Sequence, residues 1–155
     1  MKRFIILILF ICNFIFCSSQ SIYQGTSSFT GSILANVKNG YVYSNNSSMT
    51  SELILYFDGK YLYKLHGSKS YMTSDIVLTY DHGKIYKGKS TMQSDILANW
   101  KGNKLYDKNS NFYFDVLFTY VNNRVYNGNF NTYDSILLTT SGYIHPIMIF
   151  ALFIL

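Results

Sequence analysis

One aliphatic residue followed by tyrosine recurs six times along the chain, as Ile22-Tyr23, Val42-Tyr43, Leu62-Tyr63, Ile85-Tyr86, Leu105-Tyr106 and Val125-Tyr126, at spacings of 20, 20, 23, 20 and 20 residues. A second apolar block keeps phase between these pairs: Ile33-Leu34-Ala35, Leu53-Ile54-Leu55, Ile76-Val77-Leu78, Ile96-Leu97-Ala98, Val116-Leu117-Phe118 and Ile136-Leu137-Leu138. A unit of about 20 residues cannot bury its own apolar face, so it must array with its neighbours. No other feature constrains the chain as strongly.

Each unit reads as two strands. The apolar blocks are short, β-branched and aromatic, and each is followed by a turn signal such as Lys38-Asn39-Gly40, Asp58-Gly59, His82-Gly83, Lys101-Gly102-Asn103 or Asn122-Asn123. Asn-Gly and Asp-Gly supply the positive φ values of tight hairpin turns. The connection back to the next block is looser and polar, as in Asn45-Asn46-Ser47-Ser48 and Gly88-Lys89-Ser90-Thr91. The pattern predicts an all-β domain over 22–144, with about 12 strands of five to seven residues. No helical period interrupts this region. The third repeat carries three extra residues near Leu65-His66-Gly67, which predicts one enlarged loop. Both faces of both strands carry apolar groups, as expected of a sheet closed into a ring, a barrel-like array or a stacked solenoid.

Phrases such as Asp58-Gly59-Lys60-Tyr61-Leu62-Tyr63-Lys64 and Asn122-Asn123-Arg124-Val125-Tyr126-Asn127-Gly128, each preceded by an apolar strand, resemble the β-hairpin repeats of bacterial four-fold β-flower proteins. The resemblance covers about residues 22–144 and implies an all-β ring or stack of hairpins with no assigned activity. Six copies stand here rather than four, so closure of the ring is left open. Gly83-Lys84-Ile85-Tyr86-Lys87-Gly88 also resembles a MORN repeat, but the inner His-Gly-x-Gly part is missing. Choline-binding repeats share the period and the aromatic hairpin, whereas this chain has a single tryptophan, Trp100.

The two ends depart from the repeat. Met1-Lys2-Arg3, the uncharged apolar run Phe4 to Cys17 and the small polar stretch Ser18-Ser19-Gln20-Ser21 have the plan of a secretory signal peptide, residues 1–20, with cleavage near Ser19 or Gln20. The apolar run is about 14 residues, where a spanning helix needs about 20. Lipid attachment at Cys12 or Cys17 is disfavoured by the bulky Ile11 and Phe16 before them. Both cysteines fall in this segment, so the mature protein is expected to hold no disulfide. Without Lys2 and Arg3 there remain 11 basic and 8 acidic residues, a scattered +3 that speaks against nucleic-acid binding. At the other end, 145–155 is an apolar tail after His145-Pro146, too short to span a bilayer. It is read as a cap on the array, with membrane contact and a processed anchor signal as alternatives.

Several local patterns invite chemistry and have plainer readings. Gly83 to Ser90 matches the letters of a phosphate-binding P-loop, but the motif contains the Ile85-Tyr86 strand and lacks the strand before and helix after that the loop requires. Glu52, Asp75, Asp95 and Asp115 share one repeat position and could contribute to calcium binding; one carboxylate per repeat more often satisfies nearby amides. His66, His82 and His145 lack zinc-ligand spacing, and no G-x-S-x-G elbow accompanies the many serines. The expectation is a non-enzyme without cofactor or metal. The six repeat tyrosines, Tyr23, Tyr43, Tyr63, Tyr86, Tyr106 and Tyr126, form a row that is either a speculative binding platform for a glycan or protein or an internal ladder. The leading function is a secreted or cell-surface binding module. The alternative is a structural or self-associating envelope protein whose tail contacts membrane.

Overall fold

The computed structural model describes residues 19–155, so all but the last two residues of the predicted signal peptide lie outside it. Twelve strands follow one another around a closed barrel, each hydrogen-bonded antiparallel to its neighbours in sequence, and the last returns to the first. They are β1 (Gln20–Gln24), β2 (Ile33–Lys38), β3 (Tyr41–Ser44), β4 (Leu53–Phe57), β5 (Tyr61–Lys64), β6 (Ile76–Asp81), β7 (Lys84–Lys87), β8 (Ile96–Lys101), β9 (Lys104–Asp107), β10 (Val116–Val121), β11 (Arg124–Asn127) and β12 (Ile136–Thr140). The ring that six copies left open is therefore closed, with Ile22, Tyr23 and Gln24 opposite Thr140, Thr139 and Leu138.

The strands run four to six residues, slightly shorter than predicted, because each apolar block is entered through a single turn of 3-10 helix. These turns are Thr30–Ser32, Thr50–Glu52, Thr73–Asp75, Gln93–Asp95, Tyr113–Asp115 and Tyr133–Ser135. They were not legible in the sequence. At the opposite end, paired positive φ values at Asn39 and Gly40, His82 and Gly83, and Asn122 and Asn123 make tight hairpins whose twist matches that of the strands. A register shift recurs once per repeat: Val42 lies opposite Leu55 but Tyr43 opposite Leu53, which leaves Ile54 as the extra residue of a bulge. The same shift follows Ile22, Leu62, Ile85 and Val125, and it bends the sheet toward closure.

The aliphatic row faces inward, and Ile22, Val42, Leu62, Ile85, Leu105 and Val125 each keep no more than 1 % of their surface. Twelve strands about 4.8 Å apart and tilted by about 40° make a ring roughly 23 Å across, too wide for side chains alone to fill, since about eight strands is the size that they close. The chain supplies the missing mass itself. After β12, Ser141 donates its amide to the Ser21 carbonyl, and the Tyr120 hydroxyl donates to the Gly142 carbonyl and accepts from the Ile144 amide, which steers the chain into the barrel. Helix α1 (Pro146–Ile154) then begins with Pro at its first turn and His145 as its N-cap. Its residues from Pro146 to Ala151 are all buried, and Ile147 to Ala151 share one core with the inward row of the strands. A helix apolar on every side suits only a position enclosed on every side. Its length, about 13 Å, is close to the height of strands this short and tilted.

Candidate functional site

The tyrosine row lies on the outer face of the wall. Tyr43, Tyr63, Tyr86 and Tyr126 nonetheless keep only 7 to 8 % of their surface, and Tyr23 and Tyr106 are half-buried. Each ring sits between a cross-strand neighbour in its own hairpin and the first residue of the next block, as Tyr86 does between Thr79 and Ile96. The residue two positions after the bulge explains the cover. Thr79, Thr119 and Thr139 donate their hydroxyls to the carbonyls of Gly88, Gly128 and Gly25, and Asn36 and Asn99 donate amides to the carbonyls of Ser47 and Ser110. Those acceptors lie two to four residues beyond a repeat tyrosine, so the chain after each ring is pulled back over the outer face. Four of the six rings are covered, each by the strands and the connection beside it rather than by another ring of the row, and the platform reading loses its main support.

Repeats two and three break the rule. Here Tyr56 takes the Thr or Asn position, Tyr41 and Tyr61 take positions held elsewhere by Lys84, Lys104 and Arg124, and the inserted loop brings in Tyr71. Tyr41 stacks on Tyr56 at 4.4 Å, and Tyr71 lies 5.0 Å from Tyr56 and 4.4 Å from Tyr63. Lys69 sits over Tyr41 and Lys60 over Tyr61. Tyr63 donates its hydroxyl to Asp58 Oδ2 at 3.0 Å. Burial, then the bond and charge of Asp58, push the Tyr63 phenol up to about 12. This patch is a local, partly exposed aromatic surface on the barrel wall.

The hairpin-turn end holds two cavities on either side of Tyr143. The larger, about 740 Å³, is lined by Gln20, Asn39, Phe57, Asp58 and His145 among others, and the smaller, about 290 Å³, by Trp100, Tyr120 and Asn122 among others. His145 packs 4.7 Å from Phe57 and 4.5 Å from Tyr80, ring to ring, and its Nδ1 accepts the Ile147 amide at 3.3 Å. Burial lowers its pKa to about 4, so it is neutral at physiological pH.

The opposite end, where the 3-10 turns enter the strands, carries an apolar collar. The residue just before each turn is Phe29, Met49, Met72, Met92 or Phe112 in the first five repeats, each 65 to 80 % exposed, and Thr132 in the sixth, where Phe130 and Tyr133 flank it. In the fifth repeat the collar widens to Phe112-Tyr113-Phe114, with Phe114 at 93 %. Inside it, the far end of α1 leaves Phe153, Ile154 and Leu155 about half exposed. The sequence held this signal: a large apolar residue stands four positions before Ile33, Leu53, Ile76, Ile96 and Val116, in otherwise polar stretches. The tyrosine row had drawn attention away from it.

The remaining sequence candidates are held within single repeats. Carboxylates of Glu52, Asp75, Asp95 and Asp115 accept from the Ser44 hydroxyl, the Met72 amide, the Ser90 hydroxyl and the Ser110 hydroxyl. Among the described residues, no three His, Cys, Asp or Glu side chains come together around one point. Gly83 to Ser90 runs through β7, as the strand reading of that motif requires.

No curated protein and no solved structure matches the chain. A family model described as 6-fold beta flower protein matches residues 22–152. The four-fold resemblance is thereby corrected to its six-fold relative: the hairpin unit is that of a β-flower, and six copies close the ring where four were the reference. The match extends over most of α1 as well as the strands. Six hairpins around one apolar helix, matched over that whole span, place this chain in the 6-fold beta flower protein family.

Proposed function

We propose that the chain is an exported, non-catalytic binding module that docks through the collar end of its barrel. The observation that carries this reading is the concentration of exposed large apolar side chains at that end, Phe29, Met49, Met72, Met92, Phe112 and Phe114 among them. Single exposed apolar side chains are ordinary, but one equivalent position holds a large one in five successive repeats around the half-exposed end of α1, which is the pattern of a surface kept for contact. The basic, apolar and small-residue sections of residues 1–20 support export. The polar groups that recur in every repeat are spent on holding the connections, which supports a scaffold role. Cell fractionation tests the reading. Wild-type protein is expected with the cell envelope, and the variant Phe112→Ser/Phe114→Ser/Phe130→Ser in the soluble exported fraction; identical distributions of the two would reject it.

A second reading is favoured by the Tyr41, Tyr56, Tyr61 and Tyr71 patch. Partly exposed rings beside Lys60 and Lys69 suit contact with a glycan or a protein at the cell surface. Tyr41→Ala is expected to weaken such binding without moving the envelope association, which separates the two surfaces.

A further inference from the structure

We infer that the collar's partner is a lipid bilayer, entered edge-on by the collar with the barrel axis steep to the membrane; this rests on the docking reading above. Three features favour lipid over a folded partner or a second copy. The first is spacing. Neighbouring connections are two strands apart, so adjacent collar residues stand on the order of 10 Å from each other around the ring, with Ser, Thr and Asn between them. Protein interfaces concentrate their energy in a contiguous, water-excluding centre. Collar side chains spaced in this way do not close such a centre around the tip of α1, but can each enter the loosely packed headgroup and acyl boundary.

The second is shape. The tip of α1 presents Phe153, Ile154 and Leu155 inside the collar, so the exposed apolar side chains ring a projecting apolar tip, while the two cavities described above lie at the other end. The third is chemistry. Tyr113 and Tyr133 join the Phe and Met side chains at this end, and tyrosine prefers the membrane–water boundary, where its ring is apolar and its hydroxyl wet. The wall itself is not the lipid surface: its strands of four to six residues fall short of the roughly 9–11 that cross a bilayer, and its apolar residues fill the interior.

Charge sets the kind of lipid. The connections and the strand ends that lead into them hold Lys64, Lys69, Lys87, Lys89 and Lys108 against Glu52, Asp75, Asp95, Asp107, Asp115 and Asp134, five basic residues to six acidic. At the turn end Lys38, Lys60, Lys84, Lys101, Lys104 and Arg124 face only Asp58 and Asp81, six to two. The apolar end is therefore close to neutral, so attachment is driven by the apolar side chains and gains nothing from anionic headgroups.

Flotation with phosphatidylcholine vesicles tests this on the full protein. Wild type is expected to float, and Phe112→Ser/Phe114→Ser/Phe130→Ser to partition at least about tenfold less, while the turn-end variant Lys101→Ser floats like wild type. Adding phosphatidylglycerol is expected to leave binding unchanged or weaken it. In a separate measurement, Phe114→Trp is expected to give emission that brominated lipid quenches beyond the Trp100 background. Absence of flotation, flotation that requires phosphatidylglycerol, equal flotation of the triple variant, or collar-dependent dimerisation by light scattering without lipid would each overturn the lipid assignment. Envelope association lost in the triple variant, with no vesicle binding by wild type, would reject lipid and leave the docking end standing. If the triple variant loses neither, both fall.

Discussion

Removing the Tyr86 ring tests whether the tyrosine row is structural. Tyr86 keeps 7 % of its surface, held between Thr79 on one strand and Ile96 on the next. Replacement by Ala withdraws about 150 Å² of mostly apolar area, worth about 4 kcal/mol at 25 cal/mol/Å². A compact denatured chain reduces that figure and the residual cavity restores part of it, leaving about 3 to 4 kcal/mol. With an unfolding entropy of about 2.1 cal/mol/K per residue, a domain of this size should lose about 10 °C in Tm. Differential scanning calorimetry of Tyr86→Ala beside wild type reads this directly. Two companions sharpen the result. Tyr86→Phe keeps the buried ring, so it should stay within about 0.5 kcal/mol. Tyr106→Ala, at a half-buried member of the row, should cost roughly half as much as Tyr86→Ala. A Tm within about 2 °C of wild type for Tyr86→Ala would refute the structural role and return the row to the surface.

Ile149→Ala, at a fully buried position of α1, should cost about 3 kcal/mol by urea titration, because the surrounding barrel wall cannot collapse onto the space left. Gly83→Ala should cost more than Gly102→Ala in the same assay: both have positive φ, but a Cβ on Gly83 meets the Trp100 carbonyl oxygen at 2.8 Å, whereas Gly102 has open space around it. His145, with a folded pKa of about 4 against 6.5 unfolded, contributes stability that is fully present above about pH 6.5 and lost as pH falls toward 4. Since the group is partly solvated, the loss should be of order 1 to 2 kcal/mol, and Tm measured from pH 7.5 to 4.5 should fall less steeply in His145→Gln.

The hairpin period was legible because it rests on local rules. Asn39-Gly40 and His82-Gly83 mark turns whatever surrounds them, and an aliphatic residue beside a tyrosine divides the two faces of a strand. Burial of the outer face was not legible in the same way. Thr79 and Asn99 read as ordinary strand polar residues, and only the fold shows that they draw the following connection over Tyr86 and Tyr106. Nor could local pattern place 146–154. Its lack of any polar face was visible, but the space it occupies exists only once twelve strands have closed at a distance in sequence. The collar was recoverable from the phase of Phe29, Met49, Met72, Met92 and Phe112, since exposure of single apolar residues in polar stretches follows from the turns around them.

The helix inside the barrel also sets the order in which the molecule can be completed. Hairpins and their neighbours pair over short stretches of chain and can form as soon as each repeat emerges, whereas pairing of β1 with β12 spans the whole array. The piece that fills the interior follows every strand in the chain, so until it is delivered the nascent ring is hollow, with its aliphatic row wet and one edge on each side unpaired. Such a species is prone to join another of its kind through those edges. A chain stopped near residue 144 should accordingly accumulate as strand-exchanged oligomers rather than as a looser version of the same barrel.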